Sequence, residues 1–300
     1  MSPLFFAGLA LAATAPAPPQ SAAPLIVTTA WLAQHLSDKD LVLFHIGDPT
    51  SKPVYDEGHI PGAQFLNPFQ ELSKPRVEGA LYLELPSAEV LDSVLEARGI
   101  SDNSRIVLYS ARRYFAPTSR TLFTLEYVGL AGRVSILDGG LEVWKSEGRA
   151  ITTDVPVPAR GRLSARPNPA IVVDADFVRA SLERSTVRLV DARDTSFYNG
   201  RETRQGRNGH IKGAVSLPFT TMVDSSGRFR SAPVLQAQFA AAGVQPGQTV
   251  VTYCHIGQQA SLVWFIARVL GYDAKIYDGS FQDWAARPEL PVVNPGARPD

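Results

Sequence analysis

The chain has 300 residues, 45% of them hydrophobic and 19% charged, and its 29 basic residues balance 29 acidic ones. That length exceeds one ordinary hydrophobic core and points to about two domains. Zero net charge leaves no electrostatic footprint for nucleic acid or an anionic membrane surface. A single cysteine, Cys254, excludes an intrachain disulfide and any multi-cysteine metal cluster.

Residues 1–22 stand apart. An apolar run from Pro3 to Ala13 leads into small residues and a Pro/Ala-rich tract, the pattern of a secretory signal peptide with cleavage after Ala15 or Ala17. The expectation is export, to the periplasm, with no stable membrane insertion of the mature chain, since the run is too short to span a bilayer. No Lys or Arg precedes it. An uncleaved tail on a cytoplasmic chain is therefore the alternative.

From there the chain runs through one set of elements twice, at a period of about 145 residues. IVTTAWLAQHL (26–36) is answered by VVDADFVRASL (172–182), each with an N-cap candidate, Thr28 or Asp174, before a helical apolar pattern. The β-rich runs LVLFHIGD (41–48) and VRLVDARD (187–194) follow, then GHIPGAQFLNP (58–68) and GHIKGAVSLPF (209–219). SAEVLDSVLEARG (87–99) and SAPVLQAQFAAAG (231–243) read as helices stopped by Gly99 and Gly243. RIVLYS (105–110) answers TVVTYC (249–254), which sets Ser110 opposite Cys254. VSILDGGLEVW (134–144) answers AKIYDGSFQDW (274–284), so Asp138 and Trp144 match Asp278 and Trp284. Strand and helix alternate, which predicts an α/β fold of two tandem domains, each a mostly parallel sheet flanked by helices. The boundaries read as 23–151 for the first domain, 152–170 for a proline-rich linker along the surface, and 171–293 for the second domain.

Chemistry concentrates at Cys254. The run Cys254-His255-Ile256-Gly257-Gln258-Gln259 joins a strand to the helix QQASLVWFIARVLG, which Gly271 ends. Such a loop turns successive backbone N–H groups into a concavity at a helix N-terminus, favouring thiolate over thiol. Gly257 permits a tight backbone. A thiolate there can attack a sulfane sulfur and hold it as a persulfide, which a thiol or cyanide then removes. His255 reads either as an acid/base and charge that lowers the thiol pKa, or as a surface histidine. Gln258 and Gln259 either donate hydrogen bonds to substrate or simply begin the helix. A phosphatase loop would need a guanidinium clamp, but Ala260 stands six residues after Cys254 and the first downstream arginine is Arg268. A lone cysteine is otherwise commonly a buried, inert thiol. His59 and His210 recur in both halves and read as turn-closing scaffold. Asp278 and Trp284 also recur and read primarily as scaffold, with an approach of Asp278-Gly279-Ser280 to the site from a neighbouring strand end as the alternative. Arg112, Arg113 and Arg120 of the first half read as ordinary surface arginines, or alternatively as cations facing the interdomain cleft that attract anions.

The doubled order of strand–D-A-R, G-H-I-x-G-A, strand–Cys-x-x-Gly–helix and D-G-x-x-x-W resembles the tandem-domain rhodaneses, over residues 26–292. These are thiosulfate and 3-mercaptopyruvate sulfurtransferases. The resemblance implies a first domain that has lost its cysteine, with Ser110 in its place, and a sulfurtransferase working through Cys254. It implies a small sulfur donor, a thiol or cyanide acceptor, and no metal or organic cofactor. It places Arg193 at the pocket, with a strand-end ion pair as the plain alternative, and the loop residues His255, Ile256, Gly257, Gln258 and Gln259 around the donor. CHIGQQ departs from both known loop types, the doubly basic and the small neutral one, which leaves the donor open. A second donor-binding arginine is missing where Ser196 and Phe197 stand; Arg201, Arg204 and Arg207 follow in the next loop. The competing readings are a non-catalytic sulfur-carrier or binding module using the same thiol, and a scaffold with negligible turnover.

Overall fold

The computed structural model describes residues 23–164 and 166–297, so the signal-peptide reading of residues 1–22 lies outside the described residues. In the first half the strands are β1 (Ile26–Val27), β2 (Leu41–Ile46), β3 (Ala63–Leu66), β4 (Arg105–Ser110) and β5 (Val134–Leu137). They form one parallel sheet in the order β1-β5-β4-β2-β3. Its helices are α1 (Thr29–His35), α2 (Lys52–Glu57), α3 (Pro68–Glu71), α4 (Ala88–Ala97), α5 (Ala116–Leu125) and α6 (Gly140–Ser146).

The second half repeats the plan with β6 (Val172–Val173), β7 (Val187–Asp191), β8 (His210–Ile211), β9 (Val215–Ser216), β10 (Thr249–Tyr253), β11 (Asp273–Tyr277) and β12 (Val292–Val293). Its parallel sheet runs β6-β11-β10-β7-β9, and β8 and β12 make a small antiparallel ribbon. The helices are α7 (Ala175–Ser181), α8 (Thr195–Tyr198), α9 (Ala232–Ala241), α10 (Gln258–Val269) and α11 (Ser280–Ala285). Strands buried on both faces explain why their sequences are continuous apolar runs instead of alternating ones.

Local signals act where they were read. The Thr28 hydroxyl accepts from the Trp31 amide and the Asp174 carboxylate from the Phe177 amide, so both N-caps are made. Gly99, Gly243 and Gly271 follow α4, α9 and α10 at φ of +81°, +81° and +84°, a conformation that costs other residues energy. His59 and His210 each donate from Nδ1 to the carbonyl of a stacked tyrosine, Tyr55 or Tyr198, at 2.8 Å. Both histidines thus close turns.

The described residues of 152–170 run extended along the surface and mostly exposed, with Leu163 buried. The amides of Gly161, Arg166 and Asn168 donate to the carbonyls of Glu96, Val128 and Tyr127, which ties the linker to the first domain. One expectation needs correction: Arg120 is not a surface arginine. It is buried, and its guanidinium pairs with Asp278 of the second domain and donates to the Leu83 carbonyl.

That contact belongs to an interface with approximate twofold symmetry. α5 and α10 are buried around most of their circumference, because each lies between its own sheet and the other helix. Ser119 and Ser261, at matching positions, share a hydroxyl hydrogen bond of 2.9 Å, and Phe123 meets Trp264 edge-on at 5.1 Å. The two strand-end aspartates reach across in opposite directions. Asp138 accepts from the Phe229 amide at 2.8 Å, and Asp278 accepts from the Leu85 amide at 3.2 Å. One apolar cluster runs through both halves, from Phe44 and Phe115 to Leu235 and Trp264. The two domains therefore share a core, and the carboxyl ends of the central strands β4 and β10 face this seam.

Candidate functional site

Cys254 follows β10, the central strand of the second sheet, and a crevice outside the carboxyl ends of such strands is where open α/β sheets bind ligands. Its thiol is fully buried. The chain then turns through Gly257, held at φ +81°, directly into α10. This turn aims the backbone amides of Ile256, Gly257, Gln259 and Ala260 at the sulfur. A methyl group on Gly257 would meet Arg120 Nη1 and Asp278 O at 3.0 Å, so the turn rests on the interdomain ion pair.

Below the loop, the Cys254 amide donates to Ser280 Oγ at 3.3 Å, and that hydroxyl donates to the Tyr277 carbonyl at 2.9 Å. Ser280 occupies φ +53°, and the first domain holds Gly140 at +54° in the matching place. A left-handed serine costs about 1 kcal/mol more than glycine, so the hydroxyl is retained against that strain.

The electrostatics differ from the sequence expectation. Burial pushes the Cys254 thiol above its ordinary value, and the amides of Ala260, Ile256, Gln259 and Gly257 draw it back only in part. The resting group is a thiol. His255 does not supply the expected positive charge either. Burial, with the cations Arg193 and Arg204 nearby, pushes its pKa down to about 4, so it is neutral at pH 7. Its Nδ1 pairs with Gln205 Oε1 at 3.0 Å, and its ring meets Phe197 edge-on.

A pH dependence follows from the thiol. Alkylation of Cys254 by iodoacetamide is expected to accelerate steadily with pH and to keep rising past about 8.5, the ordinary cysteine value. A plateau below neutrality would contradict it. The sign for stability is set by the same shift. Above the ordinary thiol value the unfolded chain releases a proton that the fold still holds, so stability falls as pH rises through that window.

Arg193 lies just beyond β7, with its guanidinium bound to both oxygens of the buried Asp191 and to the Gly209 carbonyl. The pair is extended by Tyr253, whose hydroxyl donates to Asp191 at 2.7 Å. The charge of Arg193 is felt by both Cys254 and His255. In the first domain the matching places hold His45, whose pKa burial pushes down to about 3, and Gly47. The fold itself therefore does not require this ion pair. It accompanies the thiol.

Gln258 is buried and lines a cavity of about 340 Å³ with Asp48, Ser110, Arg112 and Tyr114 of the first domain. Gln259 has a buried Oε1 without a partner, and its side chain lies close enough to the Tyr114 phenol to favour its ionised form slightly. Tyr114 is the residue that sequence reasoning missed. It keeps 44% of its surface exposed, yet burial around its hydroxyl and the nearness of Cys254 push the phenol up to about 12. It remains a neutral donor. An exposed aromatic beside two arginines (RRYF) was the only signal, and nothing local assigns it to the other domain's loop. Of the three loop arginines, Arg204 stands over Phe197 and acts on both Tyr114 and His255, whereas Arg207 is tied to the carbonyls of Arg287 and Leu290. Arg201 is exposed and contributes only a backbone contact to Ser196. Among the described residues, no cluster of three or more His, Cys, Asp or Glu is placed to hold a metal ion.

The family model described as the rhodanese-like domain matches residues 28–147 and again 174–287. The chain belongs to the rhodanese-like family. This tandem rhodanese-like chain is 30% identical to thiosulfate sulfurtransferase of Azotobacter vinelandii over 271 residues, 90% of this chain and 97% of that one. It is 32% identical to the probable 3-mercaptopyruvate sulfurtransferase of Pseudomonas aeruginosa over 278 residues, 89% of this chain and 97% of that one. The solved structure of SseA from Escherichia coli, described as a 3-mercaptopyruvate sulfotransferase, superposes with a TM-score of 0.75 at 27% identity, covering 86% of this chain and 98% of that one. These relatives are sulfurtransferases of two donor types.

Proposed function

We propose that the chain is a sulfurtransferase in which Cys254 carries sulfur from a small anionic donor to a thiol or cyanide acceptor. The observation that carries this reading is the placement of Cys254, buried at the turn from β10 into α10, where four backbone amides favour its anion. In the first half-reaction the Cys254 thiol gives up its proton to solvent, and its sulfur attacks the sulfane sulfur of the donor. An S–S bond forms, the bond from that sulfur to the rest of the donor breaks, and its electron pair leaves with the donor remnant. The amides stabilise the terminal sulfur anion of the persulfide. In the second half-reaction the acceptor attacks that terminal sulfur, and the S–S electron pair returns to Cys254. Double displacement kinetics follow.

Arg193 supports the anionic thiolate through its field, Gln259 and Tyr114 offer hydrogen bonds to the donor, and His255 packs the loop as a neutral ring. Arg204 is the exposed cation at the mouth and takes the role of anion recruitment. Replacing it with alanine is expected to raise KM for thiosulfate or 3-mercaptopyruvate about tenfold with little change in kcat, an effect that added salt mimics. An unchanged KM would remove Arg204 from donor binding.

Intact-mass spectrometry after exposure to thiosulfate, 3-mercaptopyruvate or polysulfide tests the whole scheme. A gain of one sulfur atom, lost in Cys254→Ser and discharged by cyanide or a thiol, is the expected result and names the donor. No gain with any of the three donors would overturn the reading. Loading and discharge without steady-state turnover would instead identify a sulfur carrier. Export to the periplasm accompanies the proposal, and fractionation of cells producing the full chain tests it.

A further inference from the structure

The second domain carries a cavity of about 300 Å³ that the sulfur chemistry does not use. It opens between α7 and the first residues of β7. Its walls are the apolar side chains of Val178, Leu182, Val187, Leu189 and Val251. At its rim stand Arg184, Arg188 and Lys212, against a single acid, Glu183. Among the described residues, the side chains of the three basic residues have no hydrogen-bond or ion-pair partner, and Arg188 Nε is buried without one. A buried guanidinium nitrogen left unpaired costs energy unless a ligand atom satisfies it.

The duplication supplies an internal control. At the matching positions the first domain has His35 for Ser181, Asp38 for Arg184, Val42 for Arg188 and Pro61 for Lys212. His35 there fills its place, stacked on Trp31 at 3.9 Å with Nδ1 on the Trp31 carbonyl. Ser181 makes the equivalent contact to the Phe177 carbonyl with only a hydroxyl, and the volume of the ring is vacated. The same fold thus has a neutral corner in one copy, where Lys39 balances Asp38, and an open, basic one in the other. Glu183 for Ser37 and Ser185 for Lys39 run against this trend, yet the balance still shifts toward an anion-accepting hollow, which the scaffold alone does not demand.

We infer that this cavity is a second binding site, for an organic monoanion with a carboxylate, sulfonate or sulfate headgroup on a compact apolar body. The headgroup pairs with Arg188, assisted by Arg184 and Lys212, and the body lies on Leu189 and Val251. The site is distinct from the Cys254 crevice. Val251 precedes Cys254 by three residues on the same strand, so the two are about 10 Å apart along β10.

Calorimetric titration of the full chain with naphthalene-2-sulfonate tests the assignment, with inorganic sulfate and naphthalene-2-methanol as partial ligands. Saturable one-to-one binding of the sulfonate, at least tenfold tighter than either partial ligand, is expected. Arg188→Ala should weaken it tenfold or more, and Ser181→His, which restores the ring of the first domain, should abolish it while sulfur transfer stays unchanged. Absent saturable binding, equal binding of inorganic sulfate, or binding indifferent to both substitutions would each overturn the proposal.

Discussion

Cys254→Ser is expected to lower sulfur transfer by about four orders of magnitude or more while leaving the fold intact, because an activated nucleophile has no partial substitute. The duplicated architecture argues for the second half of that statement. Ser110 already occupies the matching strand end, with its hydroxyl donating to the Arg112 carbonyl at 2.7 Å. Serine in place of Cys254 inherits the same loop amides, and its circular dichroism and melting temperature should stay close to wild type. Steady-state assays with thiosulfate, 3-mercaptopyruvate and polysulfide measure the first effect. Residual turnover within tenfold of wild type would place the chemistry elsewhere than the thiol.

Arg120→Ala is expected to cost about 3–5 kcal/mol of stability, since it strands the Asp278 carboxylate in a buried interface. The loss is read from the urea midpoint at constant m-value. Turnover should fall as well. Gly257 turns against this pair, so its loss loosens the four amides around the sulfur. Asp278→Ala should behave alike, although its carboxylate also accepts from the Leu85 amide and that bond goes with it. The charge-free pair Arg120→Met with Asp278→Leu separates the two effects. It should recover much of the stability, because two apolar groups replace two desolvated charges, without restoring the loop geometry. Full recovery of turnover in that double variant would show that the pair acts through stability alone.

Much of the fold is legible in the chain because its determinants are local. The caps at Thr28 and Asp174 and the stops at Gly99, Gly243 and Gly271 are decided within a few residues. The repeat then fixes strand order twice. The Cys254 turn is legible for the same reason, since glycine at Gly257 and the helix behind it dictate where the amides point. Charge states are not local. Thiolate was the natural expectation for a cysteine at a helix start, but burial depends on α5 arriving from residues more than a hundred positions earlier. His255 fails as a cation for the same cause. Tyr114 and Arg120 lie in the half without a thiol, and only the interdomain seam gives them roles. Arg120 did carry a signal, a lone charge inside TSRTLFTL, which on a fully buried helix requires a partner.

The seam also records a break in its own symmetry. Counting back from Gly129 and Gly271, Glu126 and Arg268 occupy equivalent places on the two helices, and they form an ion pair with each other. Two identical copies meeting about a true dyad would bring like charges together there, glutamate on glutamate or arginine on arginine. Joining both copies in one polypeptide removes that prohibition. The attraction between Glu126 and Arg268 is available only to two halves of different sequence, so either half expressed alone would lack a cognate surface in its own twin.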